Sequence, residues 1–141
     1  MNKAKITSGL EDYIESISNH IKKYNKVRAI DIAKELNVSR ASVSEALRRL
    51  AEQGYIKYGR YGAITITDAG EAAANAVIKR HTILHKFICN ILGLEEQEAA
   101  ENACKIEHVI SDNLLYRLNK FIEFNEKHPE ISSEFQKLCS S

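Results

Sequence analysis

The sequence predicts a mainly α-helical chain, with a winged helix-turn-helix at its amino terminus and an all-helical second half. Three observations predict it. Apolar residues recur at helical spacing in several long segments. Two such segments are joined by only Asn37-Val38-Ser39, the short connection of a helix-turn-helix. Directly after them, residues 55–66 are rich in aromatic and β-branched side chains broken by glycines, which reads as a two-stranded hairpin, or wing. The expected domains are 1–70 and 71–141.

Taken in order, residues 1–7 read as a loose terminus. Ser8 with Glu11 fits a capping box that opens a helix running to about Tyr24, with Leu10, Tyr13, Ile14, Ile17 and Ile21 on one face. Residues 29–36 form a short amphipathic helix. Ser39 caps a longer helix over 40–53, closed by Gly54. Asp68 with Glu71 fits a second capping box, and a long helix follows to about Leu92, stopped by Gly93. Residues 95–109 are rich in Ala and Glu and lack Gly and Pro, so they read as helix. Ser111 caps a helix over 112–123, and a short last helix follows Pro129.

The composition narrows the function classes. The chain of 141 residues can hold one domain with a real core or two small ones. It is 44% hydrophobic and 28% charged, an ordinary globular balance. No apolar run approaches the ~20 residues of a membrane span, so no membrane partner is expected. Net charge is only +1, yet it is unevenly placed: residues 26–61 carry +4 and residues 93–141 carry −5. A basic front and an acidic rear suggest divided labour. Three cysteines without a CxxC pair or a signal peptide read as free thiols in a reducing, cytoplasmic compartment.

The helix-turn-helix points to double-stranded DNA. Val38, Val43, Ala46, Leu47 and Leu50 supply its inward face. Ser39, Arg40, Ala41, Ser42, Ser44, Glu45, Arg48 and Arg49 are left to face a duplex, where short polar residues approach base edges and arginines reach bases or phosphates. Lys57, Arg60 and the neighbouring tyrosines of the wing would grip phosphate, which positions the protein without reading sequence. The plainer alternatives are a helical hairpin with a solvated basic face and tyrosines that merely pack the wing.

A second constellation lies in the acidic half. Cys104, Glu107 and His108 stand at i, i+3 and i+4 of the expected helix, so a thiolate, a carboxylate and an imidazole project together. His81 and His85 are also spaced i, i+4. Taken alone, each set has a bland reading: a small core cysteine beside surface residues, and two unrelated histidines. Asp12 and Glu15, at i and i+3 of the first helix, read on their own as a solvated edge.

The order of these pieces resembles a known family. Leu10-Glu11-Asp12-Tyr13-Ile14-Glu15, the helix-turn-helix, the wing, Lys79-Arg80-His81 and then 104–112, Cys-Lys-Ile-Glu-His-Val-Ile-Ser-Asp, look like the metal-dependent repressors of the diphtheria toxin repressor family. The match covers about residues 7–126, and the length is similar to that of the manganese-transport-regulator branch, which lacks an SH3-like domain. The resemblance implies a homodimeric repressor, not an enzyme, that binds a DNA operator and controls metal-homeostasis genes, with a helical metal-binding and dimerisation domain. It implies metal ligands at Asp12, Glu15, His81, Cys104, Glu107 and His108. The manganese branch has Glu at the position of Cys104; the iron-type branch has Cys there but Met at the position of Asp12. The implied set is a hybrid. In the iron-type branch the positions of His81 and His85 also serve an ancillary site, which makes His85 a candidate additional ligand; a further histidine of that site falls at Ala100.

Thiolate and imidazole suit Fe²⁺, Co²⁺, Ni²⁺ or Zn²⁺, whereas carboxylates favour Mn²⁺. The expectation is Mn²⁺ or Fe²⁺, with Zn²⁺, Co²⁺ or Ni²⁺ as substitutes. Cys104 must lose its proton to bind, so affinity should fall with pH. The rival readings are a winged-helix repressor that senses an oxidant or small molecule through Cys104, a metallohydrolase and a structural metal site.

Overall fold

The structure is a computed structural model that describes residues 6–140; most of the terminus expected to be loose lies outside them. Seven α-helices and a two-stranded antiparallel sheet are formed among the described residues. They fall into two compact units, the first ending at Val77 and the second beginning at Ile78.

In the first unit, α1 (Ser8–Tyr24) has its cap one residue earlier than expected. Thr7, not Ser8, is the extended residue before the helix, and its carbonyl accepts from the Leu10 and Glu11 amides at 3.0 and 3.1 Å. Ser8 is already helical, so the Ser8–Glu11 capping box does not form. Asn25 ends α1 in the left-handed conformation, φ 61°. α2 (Ala29–Leu36) and α3 (Arg40–Glu52) follow as expected, with Asn37 taking the left-handed turn between them at φ 53°. Ile14, Ile17, Ile32, Val43, Leu47 and Leu50 are wholly buried and bring the three helices together. A polar cluster that the sequence reading did not single out joins α1 to α2: the Ser16 hydroxyl donates to Glu35, and His20 Nδ1 lies 2.9 Å from the Ser16 carbonyl.

The hairpin pairs β1 (Ile56–Tyr58) with β2 (Ile64–Ile66), opposing Ile56 to Ile66 and Tyr58 to Ile64. A single 3-10 turn, Arg60–Gly62, closes it, with Tyr61 at φ 63°. That conformation costs a residue bearing a side chain about 1 kcal/mol or more.

α4 (Asp68–Lys86) is capped by Thr67, not by Asp68. The Thr67 hydroxyl accepts from the Gly70 amide at 3.1 Å and also donates to the Gly54 and Tyr55 carbonyls. This fastening brings the first turn of α4 against the base of the hairpin. In the first unit α1 also reaches α4, where Lys22 pairs with Glu71 at 3.3 Å.

In the second unit α4 does not run evenly to Leu92. It widens into a π-turn over Phe87–Ile91 before Gly93 turns away at φ 82°. The Gln136 amide donates to the Asn90 and Ile91 carbonyls at 3.0 and 3.2 Å, so α7 satisfies carbonyls at the end of the irregular turn. α5 (Glu96–Ile106) ends one turn earlier than expected, and α6 (Asp112–Lys127) runs one turn longer, capped by Ser111 as expected. α7 spans Glu130–Cys139. Ile83, Ile91 and Ile122 form a small core with Phe87, Leu115 and Leu118 around them. Leu114, Tyr116 and Phe124 on α6 and Leu138 on α7 remain exposed.

Candidate metal centre and nucleic-acid interface

The outward face of α3 is organised by its cap. Ser39 Oγ accepts from the Ser42 amide at 3.1 Å and donates to Ser42 Oγ at 2.9 Å, holding two short hydroxyls together at the tip of the helix. Burial of Val43, Ala46, Leu47 and Leu50 leaves Ser39, Arg40, Ala41, Ser42, Ser44, Glu45, Arg48 and Arg49 exposed, as the sequence led one to expect. These positions do not carry equal charge. Arg48 pairs with Glu45 one turn before it and Glu52 one turn after it, both at 2.5 Å. These hydrogen bonds and charges hold the Arg48 guanidinium well above its ordinary pKa and the Glu45 carboxyl below its own. On the wing, Lys57 and Arg60 are exposed.

The expected effects on DNA binding therefore differ. Arg40→Ala should weaken binding several-fold and lower the salt slope by about one, the change expected for the loss of one phosphate contact. Arg48→Ala should cost less, since its charge is already offset by two carboxylates. Titration of each variant into labelled duplex across a salt series checks the order, and metal content should be unchanged in both. A larger loss for Arg48→Ala than for Arg40→Ala contradicts it.

In the second unit three donors converge. His81 on α4, Cys104 in the last turn of α5 and Glu107 just beyond it place one ligand atom each within 4.8 Å of one another. His81 Nδ1 lies 2.9 Å from Glu107 Oε2 and 3.7 Å from Cys104 Sγ. Glu107 is 1% exposed, and its other oxygen lies 3.6 Å from His108 Nε2. α5 stops at Ile106, but Glu107 keeps helical angles, φ −57° and ψ −26°, and its amide still donates to Ala103 at 2.9 Å. The i, i+3 spacing of Cys104 and Glu107 thus survives the early end of the helix. Burial, and then the charge of His85, lower the His81 pKa from its usual value, which favours the neutral imidazole.

The His85 ring stacks beside that of His81, centroids 6.2 Å apart, and lines an open pocket with Glu95 and Ala100. It is outside the group formed by His81, Cys104 and Glu107. Asp12 is exposed and Glu15 half-buried on α1 of the first unit, one turn apart. Cys89, Cys104 and Cys139 form no disulfide among the described residues. No helix among the described residues is long and apolar enough to cross a membrane.

A winged helix with an exposed recognition helix, followed by a helical unit that gathers thiol, imidazole and carboxylate, defines a ligand-responsive DNA-binding regulator. Comparison with known proteins carries this further. Residues 5–64 match the iron dependent repressor N-terminal DNA binding domain, and residues 67–136 match the iron dependent repressor metal binding and dimerisation domain. The chain belongs to this family, that of the diphtheria toxin repressor, whose members are metal-dependent transcriptional regulators and not enzymes. It is 36% identical over 124 residues to an uncharacterized HTH-type transcriptional regulator of Methanocaldococcus jannaschii, covering 86% of this chain and 99% of that one. It is 30% identical over 130 residues to the HTH-type transcriptional regulator MntR of Lysinibacillus sphaericus, covering 92% and 93%. Among solved structures, it is similar to a manganese-dependent transcriptional repressor in complex with manganese, at 35% identity and a TM-score of 0.75, covering 82% of this chain. The manganese regulator SloR is similar at 27% identity and a TM-score of 0.74, covering 84% of this chain. The chain spans about half the length of these two solved proteins, 53% and 55%.

Proposed function

We propose that this chain is a cytoplasmic, homodimeric repressor that senses Mn²⁺ or Fe²⁺ and controls genes of metal homeostasis. The observation that carries the reading is the meeting of His81, Cys104 and the buried Glu107 in one unit, with His108 on the second oxygen of Glu107. The donor chemistry fits a divalent transition metal: a thiolate and imidazoles suit Fe²⁺, and carboxylates suit Mn²⁺, the ion named for the solved repressor and for SloR. Zn²⁺, Co²⁺ and Ni²⁺ are the expected substitutes. Asp12 and Glu15 complete the proposed ligand set, and His85 is an additional candidate.

A bound divalent cation supplies positive charge that thiolate and carboxylates can share without mutual repulsion. Glu107 is the centre of the arrangement, because its two oxygens address His81 and His108 separately. In this proposal metal occupancy and DNA affinity are linked quantities, each raising the other by roughly 1–3 kcal/mol. In a two-fold dimer the recognition helices must suit half-sites about 34 Å apart, or a multiple of that. The apolar residues left exposed on α6 and α7 are the proposed dimer seam.

Anaerobic titration of the purified protein into its own promoter region, with and without Mn²⁺ or Fe²⁺, tests the coupling. Tighter binding with metal, by about tenfold or more, is expected; equal affinity refutes it. Exposure of Cys104 beside His81 favours one other reading, an oxidant sensor. That protein would bind DNA without added metal and let go on oxidation.

A further inference from the structure

The wing carries a side chain from which the fold gains no burial. Tyr61 is fully exposed, 104% by comparison with an extended chain, and its backbone stands at φ 63° and ψ 24°, a region that suits glycine. The tip is nonetheless fastened. The Gly59 amide donates to the Ala63 carbonyl at 2.7 Å, and the paired strands begin directly below. An aromatic ring presented outward on a tight hairpin, at the expense of backbone comfort, is the arrangement expected where the ring meets something outside the chain. Arg60 and Lys57 are exposed on the same hairpin, so the surface they suit is anionic. A ring on the same hairpin as these cations needs an apolar face within that anionic surface. The backbone of duplex DNA offers both, with phosphates alternating with the carbon faces of deoxyribose.

We propose that Tyr61 is a DNA contact, its ring packing on deoxyribose beside phosphates held by Arg60 and Lys57; this rests on the DNA-binding reading above. The contact adds affinity without reading bases. It neutralises no phosphate, so it releases no counterions, and its contribution is independent of salt, unlike that of Arg60.

The test uses the full chain, loaded with Mn²⁺, and labelled duplex from its promoter region across a salt series. Tyr61→Gly should lower affinity about five- to tenfold at every salt concentration with an unchanged slope, the loss expected for uncovering part of one ring. Arg60→Ala should instead reduce the slope by about one. Tyr61→Asn, which also tolerates the left-handed backbone, should match Tyr61→Gly, and Tyr61→Phe should stay within about twofold of the parent because the ring is kept. Both Gly and Asn variants should melt at or above the parent temperature, which separates lost contact from lost fold. Parent-like binding by Tyr61→Gly overturns the proposal, and so does a Tyr61→Phe loss as large as that of Tyr61→Gly. A parent protein that binds no duplex at all overturns the DNA-binding reading and this contact with it.

Discussion

Glu107→Ala is expected to lower Mn²⁺ or Fe²⁺ affinity by about 100-fold or more. Removing a group that merely orients a metal ligand already costs about 10–100-fold, and Glu107 is proposed as a donor itself. It is 1% exposed, 2.9 Å from His81 Nδ1 and 3.6 Å from His108 Nε2. Its loss removes both a negative charge and the common partner of two imidazoles. The metal-free protein should tolerate the change, because burying a carboxylate is costly even where it is paired. Thermal denaturation separates the two effects. In the parent, metal at 100 times its Kd should add about 2.7 kcal/mol of stability, and this increment should vanish in the variant. Glu107→Gln, which keeps the shape, should also lose most of it. A full metal-induced shift in Glu107→Ala would remove this residue from the ligand set.

Gly70→Ala is expected to destabilise the DNA-binding unit by about 3 kcal/mol, with Tm falling by about 10 °C or more. A Cβ at residue 70 would lie 2.0 Å from the Tyr55 carbonyl oxygen and 2.8 Å from Ile66 Cγ1. The oxygen cannot easily retreat, since it accepts from both the amide and the hydroxyl of Thr67 at 3.1 and 3.0 Å. Gly9 supplies the control. It also lies in a helix, but nothing stands within 4 Å of its absent Cβ, so Gly9→Ala should leave Tm unchanged or slightly higher. Equal melting of Gly70→Ala and the parent would show that the first turn of α4 can slide away from the hairpin.

The helix-turn-helix was legible because its signals agree: apolar spacing, a left-handed Asn37 and a Ser39 that does cap α3. Ser111 likewise caps α6, whereas the caps of α1 and α4 were misplaced by one residue each. Thr7 and Thr67 stand before Ser8 and Asp68, and two adjacent residues of capping type offer the sequence no means of choosing between them. The π-turn at Phe87–Ile91 was not legible, since it is supported by Gln136, a residue 45 or 46 positions away. Of the proposed ligands, the pairing of Cys104 with Glu107 follows from helical spacing alone. The arrival of His81 beside them does not, because it depends on how α4 and α5 pack. Arg48 shows the opposite failure. Its outward position was readable, but its engagement by Glu45 and Glu52 was not drawn from the same spacing.

That engagement bears on how fast such a protein can search a chromosome. A guanidinium already matched by two carboxylates displaces fewer ions when it drifts against an arbitrary stretch of phosphates. Residence on irrelevant sequence would be shortened accordingly, while Arg40 and the clustered hydroxyls of Ser39 and Ser42 would be left for base edges that suit them. A recognition helix so arranged would favour selectivity over indiscriminate grip.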